Sequence, residues 1–194
     1  MVPPRIVDAG LACEHHGVQL ATERLLLRRW RPADREPFAR LNADPEVMRY
    51  MLRPLSREES DAYIDRTERA FQEHGFGLWA VEVSTTGSFV GYVGLSIPRF
   101  EAHFTPAVEI GWRLDQPYWG NGYATEAARA AIADGFERVG LKEIVSFTVP
   151  VNLRSIAVME RLGMTRDPDD DFDHPNVPKG HPYRPHVLYR IAAG

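Results

Sequence analysis

The chain has 194 residues, 44% of them hydrophobic, which suits one globular domain of ordinary size that can bury a core without staples. A formal charge of −4 provides no global basic field for nucleic acid, and Cys13, the only cysteine, excludes an internal disulfide framework and suits a reducing cytoplasm. No run approaches the roughly 20 apolar residues of a membrane span, and residues 1–20 lack the apolar core of a secretory signal. The expected setting is cytoplasmic, with neither membrane nor nucleic acid as partner.

Residues 1–19 are aperiodic and read as an N-terminal arm ahead of a single domain over residues 20–194. Residues 20–30, containing Leu25-Leu26-Leu27-Arg28-Arg29-Trp30, read as a strand. Asp34 is placed to cap a short helix reaching Leu41, in which Pro37 at the third position costs no hydrogen bond. Asp44-Pro45-Glu46 predicts another helical turn with proline first. Ser56-Arg57-Glu58-Glu59 is a capping box, opening a helix that runs to about His74 and closes at Gly75. Residues 78–83 and 89–97 read as strands joined by a turn at Thr85-Thr86-Gly87-Ser88, and residues 107–114 as the next strand. Ala124, Ala127, Ala128 and Ala131 repeat at helical spacing, Ile132, Phe136 and Val139 extend that face, and Gly140 stops it. Residues 143–149 are strand-like. Asn152 caps a helix over residues 153–162 that ends at Gly163. A polar loop over residues 167–185 precedes a last strand at residues 186–191. This order predicts an α/β fold, a mixed central sheet with helices on both faces.

Between the strand at 107–114 and the alanine-rich helix lies Gln116-Pro117-Tyr118-Trp119-Gly120-Asn121-Gly122-Tyr123-Ala124. A strand, a glycine turn and a helix start make an anion-binding geometry. The first N–H groups of a helix have no intrahelical partner, and glycine lets backbone approach a phosphate. The segment has no Gly-Lys-Ser or Gly-Lys-Thr ending, so it is not a P-loop, and it lacks the third glycine of a dinucleotide fingerprint. On two glycines alone, an ordinary strand-to-helix turn is the simpler account.

Four segments in order shift that balance. They are Thr22-Glu23-Arg24-Leu25-Leu26-Leu27-Arg28-Arg29-Trp30; Asp44-Pro45-Glu46-Val47-Met48; Glu109-Ile110-Gly111-Trp112 with Trp119-Gly120-Asn121-Gly122-Tyr123-Ala124-Thr125-Glu126-Ala127; and Asn152-Leu153-Arg154-Ser155 with Leu162-Gly163-Met164. Together they resemble the GNAT superfamily of N-acetyltransferases, and more closely its RimJ/RimL type, over nearly the whole of residues 20–191. The resemblance implies the GNAT-type acyl-CoA N-acyltransferase fold, acetyl-CoA as cosubstrate, no metal, and direct acetyl transfer to a primary amine, either a protein N-terminus or a small molecule. It is also compatible with a homodimer.

By the same resemblance, Trp119, Gly120, Asn121, Gly122, Tyr123, Ala124 and Thr125 hold the cofactor pyrophosphate. Trp119 stands where the general family pattern has Gln or Arg, which removes a side-chain charge from that place. Ile110, Gly111, Trp112, Arg113 and Leu114 pair with the pantetheine arm through their backbone, in a gap where neighbouring strands splay. Glu109 is the candidate base, directly or through water, against the alternative of a solvated or ion-paired strand residue. Ser155 is the candidate acid for the leaving thiolate, against a local helix hydrogen bond. Asn152 caps the helix and reaches the pantetheine amides. The rival reading is a catalytically inactive CoA-binding sensor or scaffold.

Asp171, Asp173, His174, His181 and His186 lie close in sequence, but their spacing fits no metal motif and they read as a solvated loop, with His186 bordering the acceptor site. Arg28, Arg29 and Arg31 read as a solvated basic edge, with attraction of an acidic acceptor as the alternative, and Cys13 as inert. A peptide acceptor needs an open groove between residues 44–74 and the loop at 167–185, whereas a small amine needs a closed polar pocket.

Overall fold

The computed structural model describes residues 19–194. Cys13 and the expected arm, Gln19 apart, lie outside the described residues. The elements are β1 (Leu20–Ala21), β2 (Leu25–Arg28), α1 (Arg35–Ala43), α2 (Arg57–His74), β3 (Leu78–Val83), β4 (Phe89–Ser96), β5 (Glu109–Leu114), α3 (Tyr123–Glu137), β6 (Glu143–Thr148), α4 (Leu153–Arg161), β7 (Thr165–Arg166), β8 (Phe172–Asp173) and β9 (Pro185–Ala192).

The strands form one mixed sheet in the order β1-β2-β3-β4-β5-β6-β9-β7, and β8 pairs with β9. Every neighbouring pair is antiparallel except β5 and β6. Successive side chains of a strand point to opposite faces. On β3 and β4, Trp79, Val81, Val90 and Val93 enter the core under α3, while Leu78, Ala80 and Tyr92 enter a second core with Phe38 of α1 and Ile64 of α2. Both faces are covered, so these strands read as continuous apolar runs rather than alternating ones.

The alanine stripe of α3 is the seam. Ala127, Ala128 and Ala131 are fully buried, and their small side chains let the helix lie close to the sheet. A Cβ on Gly135 would stand 2.9 Å from Leu95 Cδ1.

The capping box at α2 forms as expected. Glu59 N–H donates to Ser56 Oγ at 3.2 Å, Ser56 N–H donates to Glu59 Oε2 at 2.8 Å, and Gly75 closes the helix with φ 74°. Asn152 caps α4, and Gly163 follows it with φ 81°.

Two expectations change. Asp34 makes no side-chain cap on α1; its carboxylate turns back to Arg31 N–H at 2.7 Å and to the Arg28 guanidinium at 2.7 and 2.9 Å. Arg28 is therefore not a solvated edge residue. It is 4% exposed and also donates to Glu82 at 2.5 Å, tying β2 to β3 and to the entry of α1. Arg29 pairs with Glu68, and Arg31 with Glu82. Asp44-Pro45-Glu46 opens the helical turn expected there: Met48 N–H donates to Asp44 O at 3.0 Å, and Asp44 Oδ1 takes Glu46 N–H at 2.8 Å.

Candidate active site

The β5–β6 ladder consists of the single pair Glu109–Val145. Val145 N–H donates to the Val108 carbonyl at 2.9 Å, and Ser146 Oγ to the Ile110 carbonyl at 3.0 Å. The Ser146 hydroxyl takes the place of the next backbone bond, and past it the strands part. Since the Val108 and Ile110 carbonyls face β6, alternation turns the N–H and C=O of Trp112 into the gap as well. Of the expected pantetheine residues, Ile110 is occupied by Ser146 and the Leu114 carbonyl by the Trp119 indole, Gly111 and Arg113 are turned to β4, and Trp112 is left with its backbone groups facing the gap.

One end of the gap meets the glycine turn. Gly120 and Gly122 have φ 78° and 80°, values that disfavour any side chain there. Glu126 N–H makes the first intrahelical bond of α3, to Gly122 O at 3.0 Å. The N–H groups of Tyr123, Ala124 and Thr125 before it meet no acceptor among the described residues, as expected of a helix N-terminus open to an anion. Trp119 is locked by its indole N–H, which donates to Leu114 O at 2.8 Å. The Arg154 guanidinium lies over its ring at 4.5 Å. The charge that Trp119 does not supply is thus brought beside it from α4. Arg24 lies on the other side, over the Tyr123 ring at 4.9 Å, held by Glu126. Open helix donors, glycine backbone and flanking guanidiniums form a donor set that fits a pyrophosphate.

The wall opposite β5 is the start of α4. Ser155 Oγ accepts from Trp112 Nε1 at 3.3 Å and from Asn152 Nδ2 at 3.1 Å. Asn152 also donates to Thr148 Oγ1 at 3.0 Å, and its Oδ1 receives Ser155 N–H at 3.3 Å. Asn152 is both helix cap and holder of the Ser155 hydroxyl.

Glu109 points to the other face of the sheet. It has no ion-pair partner among the described residues, and its one hydrogen bond is from Ser96 Oγ at 3.4 Å. Burial pushes its carboxyl up to about 8, against the smaller opposing pull of Ser96. The residue is half-buried at the cleft surface, so it is not freely solvated, and the expectation of an ion pair fails among the described residues.

Glu109 opens onto a cleft of about 830 Å³. Its walls include Met48, Tyr50 and Tyr63 from the region of α1 and α2, and His174, Val177 and Tyr183 from the loop at 167–185. These are the two regions between which a groove was expected if the acceptor is a peptide. The sequence did not single out Tyr63 and Tyr92, whose hydroxyls meet at 3.1 Å, and it named Arg113 only for its backbone; the Arg113 side chain donates to Asn42 Oδ1 at 2.6 Å and lies over both phenol rings. Burial raises the Tyr63 phenol well above its ordinary range.

The loop histidines are not solvated as a group. The rings of His174 and His186 meet at a tilt, 5.0 Å apart, beside Phe147 and Phe172. Burial and the neighbouring His186 lower His174 to about 4, and burial lowers His186. Among the described residues, no three His, Cys, Asp or Glu side chains converge as metal ligands. No described helix is long and apolar enough to cross a membrane.

The Acetyltransferase (GNAT) domain family matches residues 24–165. The chain belongs to this family. As a GNAT acetyltransferase it uses acetyl-CoA to acetylate an amine. It is 33% identical over 147 residues to YkkB of Bacillus subtilis (strain 168), covering 75% of this chain and 84% of that protein. It is 35% identical over 138 residues to FsC-acetyl coenzyme A-N(2)-transacetylase of Aspergillus fumigatus, covering 68% of this chain and 58% of that protein. A GNAT-family acetyltransferase from Bacillus anthracis superimposes with a TM-score of 0.75 at 27% identity, over 90% of this chain and 98% of the other. A RimL ribosomal L7/L12 alpha-N-protein acetyltransferase solved with coenzyme A shares the fold at 18% identity, with a TM-score of 0.72 over 90% of this chain and 98% of that one.

Proposed function

We propose that this acetyltransferase is an N-acetyltransferase of the RimJ/RimL type that moves the acetyl group directly to a primary amine, with Glu109 as base and Ser155 as proton donor. The observation that carries this reading is the placement of these two groups on opposite sides of the parted β5 edge. Glu109 faces the acceptor cleft, and Ser155 faces the gap behind Trp112.

A protonated alkyl amine, with a pKa of about 10, must lose a proton before it attacks. A carboxylate of ordinary pKa is a weak base for this task, whereas one raised to about 8 is far better matched. The Trp112 N–H, turned into the gap, is placed to polarise the thioester carbonyl. The nitrogen–carbon bond forms as the carbon–sulfur bond breaks. Glu109 takes the amine proton, directly or through water. The Ser155 hydroxyl already accepts two N–H groups, so its own hydrogen is left to donate to the departing sulfur. Asn121, Gly122, Tyr123, Ala124 and Thr125 hold the pyrophosphate by backbone, with Gly120 shaping the turn.

The experiment is thiol release from acetyl-CoA over a panel of primary amines. Release that depends on amine supports transfer. Tight acetyl-CoA binding with no release for any amine would instead describe a sensor or scaffold.

A further inference from the structure

The cleft in front of Glu109 has a neighbour. A second hollow of about 240 Å³ is bounded by Tyr63, Arg66, His74, Ser96 and Arg99, among others. Tyr63 and Arg66 belong to both hollows. Ser96, whose hydroxyl donates to Glu109, stands in the wall of the smaller one. The smaller hollow therefore begins one hydrogen bond from the candidate base.

Its charge is one-sided. No Asp or Glu lines it. In the larger cleft, Arg53 is neutralised by Glu59. Arg66 has no carboxylate partner among the described residues, and its recorded contact is the Tyr63 ring at 5.4 Å. Arg99, exposed at the rim after β4, has none either. A guanidinium keeps its charge at any ordinary pH. Two of them in the wall of a recess that no carboxylate lines offer the donors a carboxylate takes.

Resting on the reading of the larger cleft as the acceptor site, we propose that the acceptor carries a carboxylate a few bonds from its amine, and that Arg66 and Arg99 seat it in the smaller hollow while the amine faces Glu109. The two ends of such a molecule are opposite in charge, so the pair of sites fixes its direction. An acceptor lacking the carboxylate leaves the arginines unpaired and loses that orientation. A free amino acid and a peptide with an acidic residue next to its N-terminus both offer this chemistry.

The test is thiol release at saturating acetyl-CoA with two matched pairs of acceptors. One pair is a free amino acid and its amide; the other is a short peptide with Asp at its second position and the same peptide with Asn. The expected result is an acid-over-amide preference of about ten-fold in kcat/KM in at least one pair, the size expected for a charge-assisted contact. The pair that shows it identifies the source. Arg66→Gln and Arg99→Gln collapse the preference, Arg99→Lys retains much of it, and raised salt shrinks it. Calorimetric binding of acetyl-CoA shows that each variant is folded. Equal kcat/KM for acid and amide in both pairs, with turnover intact, overturns this proposal and leaves direct transfer standing. A preference that survives Arg66→Gln and Arg99→Gln combined overturns the assignment of the arginines. Absence of thiol release with every primary amine overturns the transfer reading and this one with it.

Discussion

The Trp112 indole N–H donates to Ser155 Oγ at 3.3 Å, joining the free edge of β5 to the first turn of α4 across the gap between β5 and β6. With Asn152 donating to the same oxygen at 3.1 Å, the hydroxyl is fixed in place and its hydrogen is left undirected by the protein. Ser155→Ala should lower kcat about 10- to 100-fold with little change in the KM for acetyl-CoA, because the lost contact forms with the leaving sulfur. Trp112→Phe keeps a ring and loses one donor, so it should cost only a few-fold. Steady-state kinetics of both variants checks this. Equal kcat in Ser155→Ala and the native enzyme would return Ser155 to a purely local helix role.

Gly122 precedes α3 with φ 80°, and a Cβ there would point at Arg24 Nη2, 3.5 Å away. Gly122→Val forces a branched side chain into a backbone region it disfavours and disturbs the donors at the helix start. Acetyl-CoA binding measured by calorimetry should weaken at least ten-fold, an effect of more than about 1.4 kcal/mol. Unchanged affinity in a folded variant would make the loop an ordinary turn.

Arg154 lies over Trp119 beside that loop. Arg154→Ala should raise the KM for acetyl-CoA several-fold and leave kcat near native, since a ground-state phosphate contact contributes to binding rather than to the chemical step. The loss should diminish at high salt. A fall in kcat at unchanged KM would contradict this role.

Glu109 also sets a stability signature. Its folded carboxyl titrates at about 8, above the 4.5 of an unperturbed side chain. The folded state therefore holds a proton that the unfolded state has released between these values, and stability falls as pH rises through that window. Glu109→Gln removes this effect. The variant should match the native protein near pH 4 and exceed it above pH 8, by an amount on the order of 2 kcal/mol after allowance for the partly exposed site. Denaturant unfolding at the two pH values measures it; parallel curves would place the carboxyl in solvent.

The sequence carried the frame because its signals are local. A capping box, glycines just past the helix ends and the alanine stripe of α3 each specify an element without distant partners, and each formed where expected. The glycine turn and Asn152-Leu153-Arg154-Ser155 were legible for the same reason. Side-chain partners were not. Arg28 reads as an exposed cation until Asp34 and Glu82 fold onto it. His174 and His186 read as loop residues until β8 and β9 bring them together beside Phe147. Arg154 was inside a quoted motif, but its place over Trp119 depends on how α4 packs beside β5. Tyr63 and Tyr92 come from α2 and β4, and no spacing in the chain relates them. Asp34 misled because a short acidic side chain that can cap a helix can equally close a turn on nearby backbone.

The most direct test of the account is the pH dependence of acetyl transfer in the native enzyme and in Glu109→Gln, measured from about pH 6 to about pH 10 with acetyl-CoA saturating. The account predicts that native kcat/KM for the amine rises through an ionisation near 8, and that Glu109→Gln is slower throughout, with that ionisation gone and acetyl-CoA affinity retained. A Glu109→Gln profile superimposable on the native one would remove Glu109 from the chemistry and contradict the mechanism.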